Sequence, residues 1–238
     1  AVQDVSVELF GGALVGIVGE SGSGQSTLAR CLVRLIDPTD GDITINGKNI
    51  STLPPGPLRP YRSEFQIVFQ DPYRSLNPRR TIEQSLIEGP MNFGMSKVDA
   101  ISKAGEILEI VGISPDAMGR FPHQFSGGQR QRICIARAVV MEPKLIVADE
   151  AVSALDVSVQ KQVLDLFLDI RKRFGMAMLF ITHDLRVAAQ VCDRVVVMQH
   201  GKVVEQGKTT DVYNNPQHPY TQDLLAAAPG RDVKFSQL

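Results

Sequence analysis

Residues 19–27 read Gly-Glu-Ser-Gly-Ser-Gly-Gln-Ser-Thr. Against the phosphate-loop pattern G-x-x-x-x-G-K-[ST], Gly19, Gly24 and Ser26 fall in place and Gln25 fills the lysine slot. An apolar run, Ala13 to Val18, precedes the loop, and Ser26 to Leu35 reads as a helix after it. Strand, glycine loop and helix are the context the pattern requires. Gly22 and Gly24 open backbone conformations closed to other residues. The loop N–H groups, through Ser21, Ser23 and Thr27, can then surround a phosphate, and the helix dipole favours the anion. Ser26 would offer its hydroxyl to Mg²⁺. Gln25 can donate only a neutral hydrogen bond, and charge-assisted bonds are roughly twice as strong. The expectation is a nucleoside triphosphate site whose transition-state stabilisation suffers more than its ground-state binding. Taken alone, the loop reads equally well as a glycine-rich turn with no ligand.

The bulk of the chain bounds what surrounds this loop. Its 238 residues suffice for one large domain or a domain with an insert. Hydrophobic content of 43% and charged content of 21% are ordinary for a globular protein. A net charge of −1 gives no sign of general nucleic-acid binding. Two basic stretches, Arg130-Gln131-Arg132 and Arg171-Lys172-Arg173, read as solvated helix faces. Cys31, Cys134 and Cys192 lie far apart in apolar or helical stretches, which predicts reduced, mostly buried thiols and gives no support to a zinc or iron–sulfur site. No apolar run approaches the ~20 residues of a membrane helix.

Val5, Val7 and Leu9 alternate with polar residues and predict a half-exposed strand. Asp42–Gly47 predicts a second strand ending in a turn, and Glu64–Phe69 a third leading to Gln70. From Asp71 to about Met141 the texture is helical, with apolar residues at helical spacing in Thr81–Gly89 and Lys97–Val111. Strands return at Lys144–Asp149, Ala177–Thr182 and Arg194–Met198, and helices at Val157–Phe174 and Leu185–Val191 lie between them. Near-continuous apolar strands suit a parallel sheet covered on both faces. The fold class is therefore α/β, with a last edge strand at Val203–Gln206.

Leu145-Ile146-Val147-Ala148-Asp149-Glu150 is an apolar strand ending in two carboxylates. Downstream of a phosphate loop, Asp149 is placed to orient Mg²⁺ and Glu150 to polarise an attacking water. Phe125-Ser126-Gly127-Gly128-Gln129 then opens a helix running to about Val140, a second helix N-terminus available to phosphate. Here the chain resembles the ATP-binding cassette family, whose signature is L-S-G-G-Q; Phe125 stands in for the leucine.

The resemblance covers essentially the whole chain, and its implications are stated residue by residue. Gln70 is similar to the glutamine that contacts metal and signals to the membrane partner. Ser153-Ala154-Leu155-Asp156 resembles the segment that crosses the dimer interface, and His183 in Ile181-Thr182-His183-Asp184 the switch histidine. The catalytic candidates are thus Glu150, His183 and Gln70, with Ser26, Gln70 and Asp149 toward Mg²⁺. Residues 19 and 21–27, with Ser126, Gly127, Gly128, Gln129 and Asp156, are the candidates toward ATP. The family stacks an aromatic residue on adenine from an earlier strand; none precedes Phe10, which predicts that this strand lies upstream of Ala1.

Gln70-Asp71-Pro72-Tyr73-Arg74-Ser75-Leu76-Asn77-Pro78-Arg79 and Asn215-Pro216-Gln217-His218-Pro219-Tyr220-Thr221 resemble segments of oligopeptide, dipeptide, glutathione and nickel importer ATPases. Some members continue into a cluster-binding extension; the expectation is that this chain stops before it or never had it. His218-Pro219-Tyr220 reads equally as a plain turn into a helix.

The resemblance implies a RecA-like P-loop core over about residues 1–70 and 141–238. This core holds a mostly parallel sheet with N-terminal antiparallel strands, and a helical signature subdomain occupies about 71–140. It implies a transport-coupled ATPase using ATP and Mg²⁺, peripheral at the cytoplasmic face of the inner (plasma) membrane. Its partners would be a second cassette (identical, paralogous or fused), permease subunits and, indirectly, a substrate-binding protein, with no nucleic acid. Two rivals stay open: a silent cassette completing an active partner site, and a soluble ATPase of DNA repair or translation. Whether Gln25 is natural or introduced also stays open.

Overall fold

The computed structural model describes residues 2–227; expectations about what precedes Ala1 or follows Leu238 lie outside them. In chain order the elements are β1 (Leu14–Val18), α1 (Gln25–Leu32), β2 (Thr44–Ile45), β3 (Lys48–Asn49), α2 (Pro55–Leu58) and β4 (Phe65–Val68). Four helices follow: α3 (Pro72–Ser75), α4 (Ile82–Asn92), α5 (Lys97–Ile110) and α6 (Gly127–Val139). The chain then alternates through β5 (Leu145–Asp149), α7 (Val157–Phe174), β6 (Ala177–Thr182), α8 (Leu185–Val191) and β7 (Arg194–Gln199). It closes with β8 (Lys202–Lys208), α9 (Thr209–Asn214) and α10 (Pro219–Ala227).

Six strands form one sheet in the order β4-β5-β6-β1-β7-β8. All neighbours are parallel except β7 and β8, whose antiparallel ladder shifts register between Val197 and Met198. The strand alternation sorts side chains into two cores. Leu14, Val18, Ile146, Ala148, Met178 and Phe180 face a layer containing α4 to α8. Val15, Ile17, Val147, Leu179 and Ile181 face the layer of Ala29 and Val33, with Ile50 and Leu58. Burial on both faces is why these strands read as continuous apolar runs. The sheet is the α/β sheet of P-loop NTPases, as expected.

Helix limits follow from capping chemistry. Thr81 and Gln84 form a reciprocal capping box at the start of α4. Asp156 caps α7, which ends at Gly175 in the left-handed conformation with φ 64°. Arg171, Lys172 and Arg173 fill its last turn, where cations complement the helix dipole.

The structure corrects several sequence expectations. Residues 2–10 form no strand. Val2, Val5, Val7 and Leu9 do turn their apolar side onto the second core, but the Gln3 N–H to Gly201 carbonyl bond at 2.8 Å is not continued into a ladder, and Asp4 turns at φ 50°. The Asp42–Gly47 strand shrinks to a two-residue arm paired with β3. Of the basic stretches, Lys172 and Arg173 are exposed as expected, but residues 130–132 and Arg171 are not a solvated face. Arg130 and Gln131 are buried, and the Arg130 guanidinium carbon lies 3.6 Å from the Tyr73 ring centre. Arg171 ties α7 to the Gly12 carbonyl at 2.5 Å and to Asp193 at 2.7 Å. The Arg130 and Arg171 guanidiniums serve tertiary contacts that a charge count does not reveal.

Cys134 and Cys192 are buried, Cys31 is partly so, and none is in a disulfide. Burial pushes the Cys134 thiol up to about 11, which keeps it protonated and inert. Among the described residues no helix is long and apolar enough to cross a membrane.

Candidate functional site

The carboxyl ends of β1, β5 and β6 lie side by side in the sheet, and the sequence-predicted residues gather there. Between β1 and α1 the chain turns through Gly22 and Gly24, at φ 89° and 101°. Such angles exclude most side chains. Gly19 is fixed for a different reason: a Cβ there would come within 2.3 Å of the Met198 carbonyl oxygen at the end of β7. Gly24 caps α1 without any side-chain hydrogen bond, and the first turn carries no acidic residue. The opening N–H groups of α1 are thus left for an external acceptor, an arrangement suited to phosphate.

Gln25 points the other way. Its side chain is buried, and Nε2 donates to the carbonyls of Ile17 at 3.3 Å and Thr182 at 3.2 Å. Both amide hydrogens are engaged between the ends of β1 and β6, so Gln25 is a structural tie in this state and presents no donor to the loop's interior. One residue on, the Ser26 hydroxyl donates to Asp149 Oδ1 at 2.9 Å. These two oxygens, on α1 and at the end of β5, form a hard-ligand pair suited to Mg²⁺ with water or phosphate completing the shell. Burial pushes the Asp149 carboxyl up; the Ser26 hydrogen bond and Arg30 oppose this, and the Glu150 charge adds to it. A cation beside it would relieve that cost.

Glu150 follows with φ 49°, a strained left-handed angle for a residue with a side chain. Its N–H donates to the Ile181 carbonyl at 3.0 Å. This extends the β5–β6 ladder while the backbone turns away. Its Oε2 lies 3.6 Å from Nδ1 of His183, at the end of β6. Gln70 donates to the Ser153 hydroxyl at 3.1 Å, and Ser153 donates to the Glu150 carbonyl at 3.0 Å. The segment after β4 is therefore wired to the backbone of Glu150. In this state Gln70 engages Ser153 and forms no hydrogen bond with Ser26 or Asp149.

Ser126 and Gln129 stand elsewhere. Their side chains cap α6 reciprocally, at 3.3 and 3.0 Å, and no hydrogen bond among the described residues joins them to residues 19–27. Gly127 has open space around its Cα, whereas a Cβ on Gly128 would meet Val159 Cγ1 at 2.6 Å. Asp156, fully exposed, accepts from the Val159 N–H at 3.0 Å and the Ser158 hydroxyl at 2.8 Å. These bonds hold its carboxyl below the usual range. Asp156 thus fixes the turn whose Val159 packs on Gly128.

Sequence reasoning missed three contributors. Ser153 was read only as part of a segment, its relay to Glu150 being invisible in one dimension. The packing need at Gly128 was also hidden. Third, Tyr220 accepts a hydrogen bond from the Glu20 N–H at 2.9 Å, across 200 residues; the His218-Pro219-Tyr220 stretch was the available signal.

Comparison with known proteins agrees with this geometry. Residues 2–153, more than half of the chain, match the ABC transporter family model, and residues 204–237 match that of the oligopeptide/dipeptide transporter C-terminal region. The chain is 51% identical over 230 residues to the glutathione import ATP-binding protein GsiA of Escherichia coli (strain K12), covering 96% of this chain and 37% of that one. It is 50% identical over 233 residues to GsiA of Salmonella typhimurium, covering 98% and 37%. The chain thus spans little more than a third of the length of these curated relatives. Among solved structures, cbiO1 from Clostridium perfringens, part of the ABC transporter complex cbiONQ, superposes with a TM-score of 0.82 at 28% identity. That match covers 90% of this chain and 84% of the other. The ATP-binding cassette MJ0796, a dimer in a post-hydrolysis state bound to ADP and Pi, gives 0.77 at 29% identity, covering 87% and 90%. With the loop, the strand-end acids and the α6 turn arranged as described, the chain belongs to the ATP-binding cassette transporter family and has its ATPase fold.

Proposed function

We propose that this chain is the ATP-binding and hydrolysing part of an importer for peptides or a related small solute, with hydrolysis impaired by Gln25. The observation that carries the reading is the Ser26–Asp149 hydrogen bond with the Glu150–His183 pair beside it. One strand end thereby holds a hard-cation site and an acid–imidazole pair. Residues 19–27 would hold the phosphates of ATP, and Ser26, Asp149 and, after rearrangement, Gln70 would hold Mg²⁺. When bound, Mg²⁺ neutralises charge on the phosphates. Glu150 would orient and deprotonate the attacking water, and His183 would hold that carboxylate in place.

Ser126, Gly127, Gly128, Gln129 and Asp156 would face a second cassette, closing over its nucleotide. Their exposed, self-capped arrangement supports this. The division into a core of about 1–70 and 141–238 and a signature part of about 71–140 is part of the same proposal. Membrane subunits would dock near the helical part. A groove of about 330 Å³ there, lined by Pro90, Phe93, Met95 and Met141, supports that surface. The chain would then sit on the cytoplasmic face of the inner membrane, with a substrate-binding protein as an indirect partner. The kinship with glutathione import proteins and the 204–237 match favour a peptide-type cargo.

A silent cassette is a second reading with its own support: Gln25 is fully accommodated by two main-chain carbonyls. The deciding experiment measures Mg²⁺-ATP binding and turnover of the full chain in its assembly. Mg²⁺-dependent binding with low turnover supports the main reading. Absence of nucleotide binding would overturn it. Turnover that survives removal of Glu150 but depends on Ser126 would favour the silent cassette.

A further inference from the structure

The match to the oligopeptide/dipeptide transporter C-terminal region begins at residue 204. Its physical place in the molecule is specific. Glu205, on β8, accepts from the N–H groups of Gln217 at 2.9 Å and His218 at 3.0 Å. His218 Nδ1 accepts the Tyr220 N–H at 3.2 Å, which sets the first turn of α10. The Tyr220 ring is buried, and its hydroxyl oxygen accepts the Glu20 N–H. A chain of contacts therefore runs from the antiparallel edge of the sheet, through the His218-Pro219-Tyr220 turn, to the first residue after Gly19.

The loop is held at a second point as well. The Glu20 carbonyl accepts from Ser23 N–H at 3.0 Å, closing a turn. The Ser23 carbonyl accepts from Gly201 N–H at 2.9 Å, at the hairpin between β7 and β8. The Glu20–Ser23 turn is pinned at its entrance by Tyr220 and at its exit by Gly201. A peptide unit is planar and rigid, so fixing the Glu20 N–H fixes the plane through which the chain leaves β1. The Gly22 and Gly24 backbone that follows is intrinsically free, and an unpinned loop would have to be ordered by its ligand at a cost in affinity.

We propose that Tyr220 is a positioning residue for the phosphate loop, and that the segment from Glu205 to Tyr220 is the brace that presents it. The inference rests on the ATP-binding reading for its functional consequence, but the brace itself is a property of the ligand-free protein. Phenylalanine fills the same space and removes only the acceptor. A hydrogen bond of this kind is worth a several-fold change in an equilibrium.

The test compares the parent chain, Tyr220→Phe, Glu205→Gln and the double variant. In ligand-free protein, the Glu20 amide should exchange with deuterium roughly 5- to 10-fold faster in Tyr220→Phe, with the melting temperature little changed. Mg²⁺-ATP should bind roughly 3- to 10-fold more weakly. Glu205→Gln, which loses one of the two acceptors holding the turn, should show the same two effects in smaller measure. The double variant should be no worse than Tyr220→Phe alone, because both act through one contact.

Unchanged Glu20 exchange overturns the brace. Faster exchange with parental Mg²⁺-ATP affinity overturns the positioning role. An affinity loss that merely tracks a large fall in melting temperature also overturns it, since any structural residue would do that. If the parent binds no Mg²⁺-ATP, the ATP reading fails, and the exchange measurement still decides the brace.

Discussion

At the start of α1, side-chain bonds reach far along the chain. Ser26 meets Asp149 across 123 residues, Gln25 meets Thr182 across 157, and Tyr220 meets Glu20 across 200. At the start of α6 the capping bonds stay local, Ser126 and Gln129 serving each other across three residues, and at the start of α7 Asp156 caps its own helix across three. Both regions are glycine-rich helix openings, yet the first is tied by side-chain bonds across the whole fold, whereas the second caps itself locally and is packed from behind by Val159. A site held by distant partners is complete only in the folded chain and is preorganised by it. A turn whose exposed Ser126 and Gln129 are satisfied by each other leaves that face free for another molecule.

The largest expected effect lies in the long-range site. With lysine at position 25 to supply activity, Glu150→Gln should lower steady-state ATPase turnover at least about 100-fold, because the amide keeps the shape but cannot take a proton. Mg²⁺-ATP affinity should stay within about threefold. Near-parental turnover would remove Glu150 from the chemistry. Next, Ser126→Arg should abolish ATP-driven dimer closure, followed by light scattering, while the isolated chain's ATP affinity stays within about twofold. A collapse of that affinity would mean the two regions form one site within a single chain.

Gly128→Ala should cost about 1–3 kcal/mol by forcing a methyl against Val159. The melting temperature would drop by about 2–12 °C. Val159→Ala should recover part of the loss, and Gly127→Ala, with open space around it, should cost less. Equal costs at the two glycines would break the packing account of the α6 turn.

The smallest effect concerns Asp149, whose carboxyl burial pushes up. A raised folded-state pKa contributes stability that is full below the unfolded value and lost as pH rises through the folded one. Ligand-free Asp149→Asn should therefore melt higher than the parent at pH 7, with the difference vanishing as pH falls to about 4. It should also weaken Mg²⁺-dependent nucleotide binding. A thermal scan across pH checks both the sign and the window.

The long strands and helices were legible because burial leaves period and composition in the sequence. Ala177–Thr182, Val157–Phe174 and Leu185–Val191 have the boundaries expected of them. The N-terminal alternation misled because period two reports which side is buried, whereas a strand also needs a neighbour. At the site, residue types and order pointed to Gly19, Ser26, Asp149 and Glu150, and the family resemblance added His183. What stayed hidden was directional: that Gln25 turns into the sheet, that Gln70 reaches Glu150 through Ser153, and that Tyr220 pins Glu20. Side-chain direction depends on contacts between segments remote in sequence, which no local pattern encodes.

We propose that Gln25 leaves the phosphate site without a charge that its chemistry would use. Gln25→Lys tests it most directly, by steady-state ATPase and Mg²⁺-ATP affinity measured on the same preparations. The account predicts a rise in turnover of about 10²- to 10³-fold with a much smaller change in affinity. Equal turnover in the two proteins would contradict it.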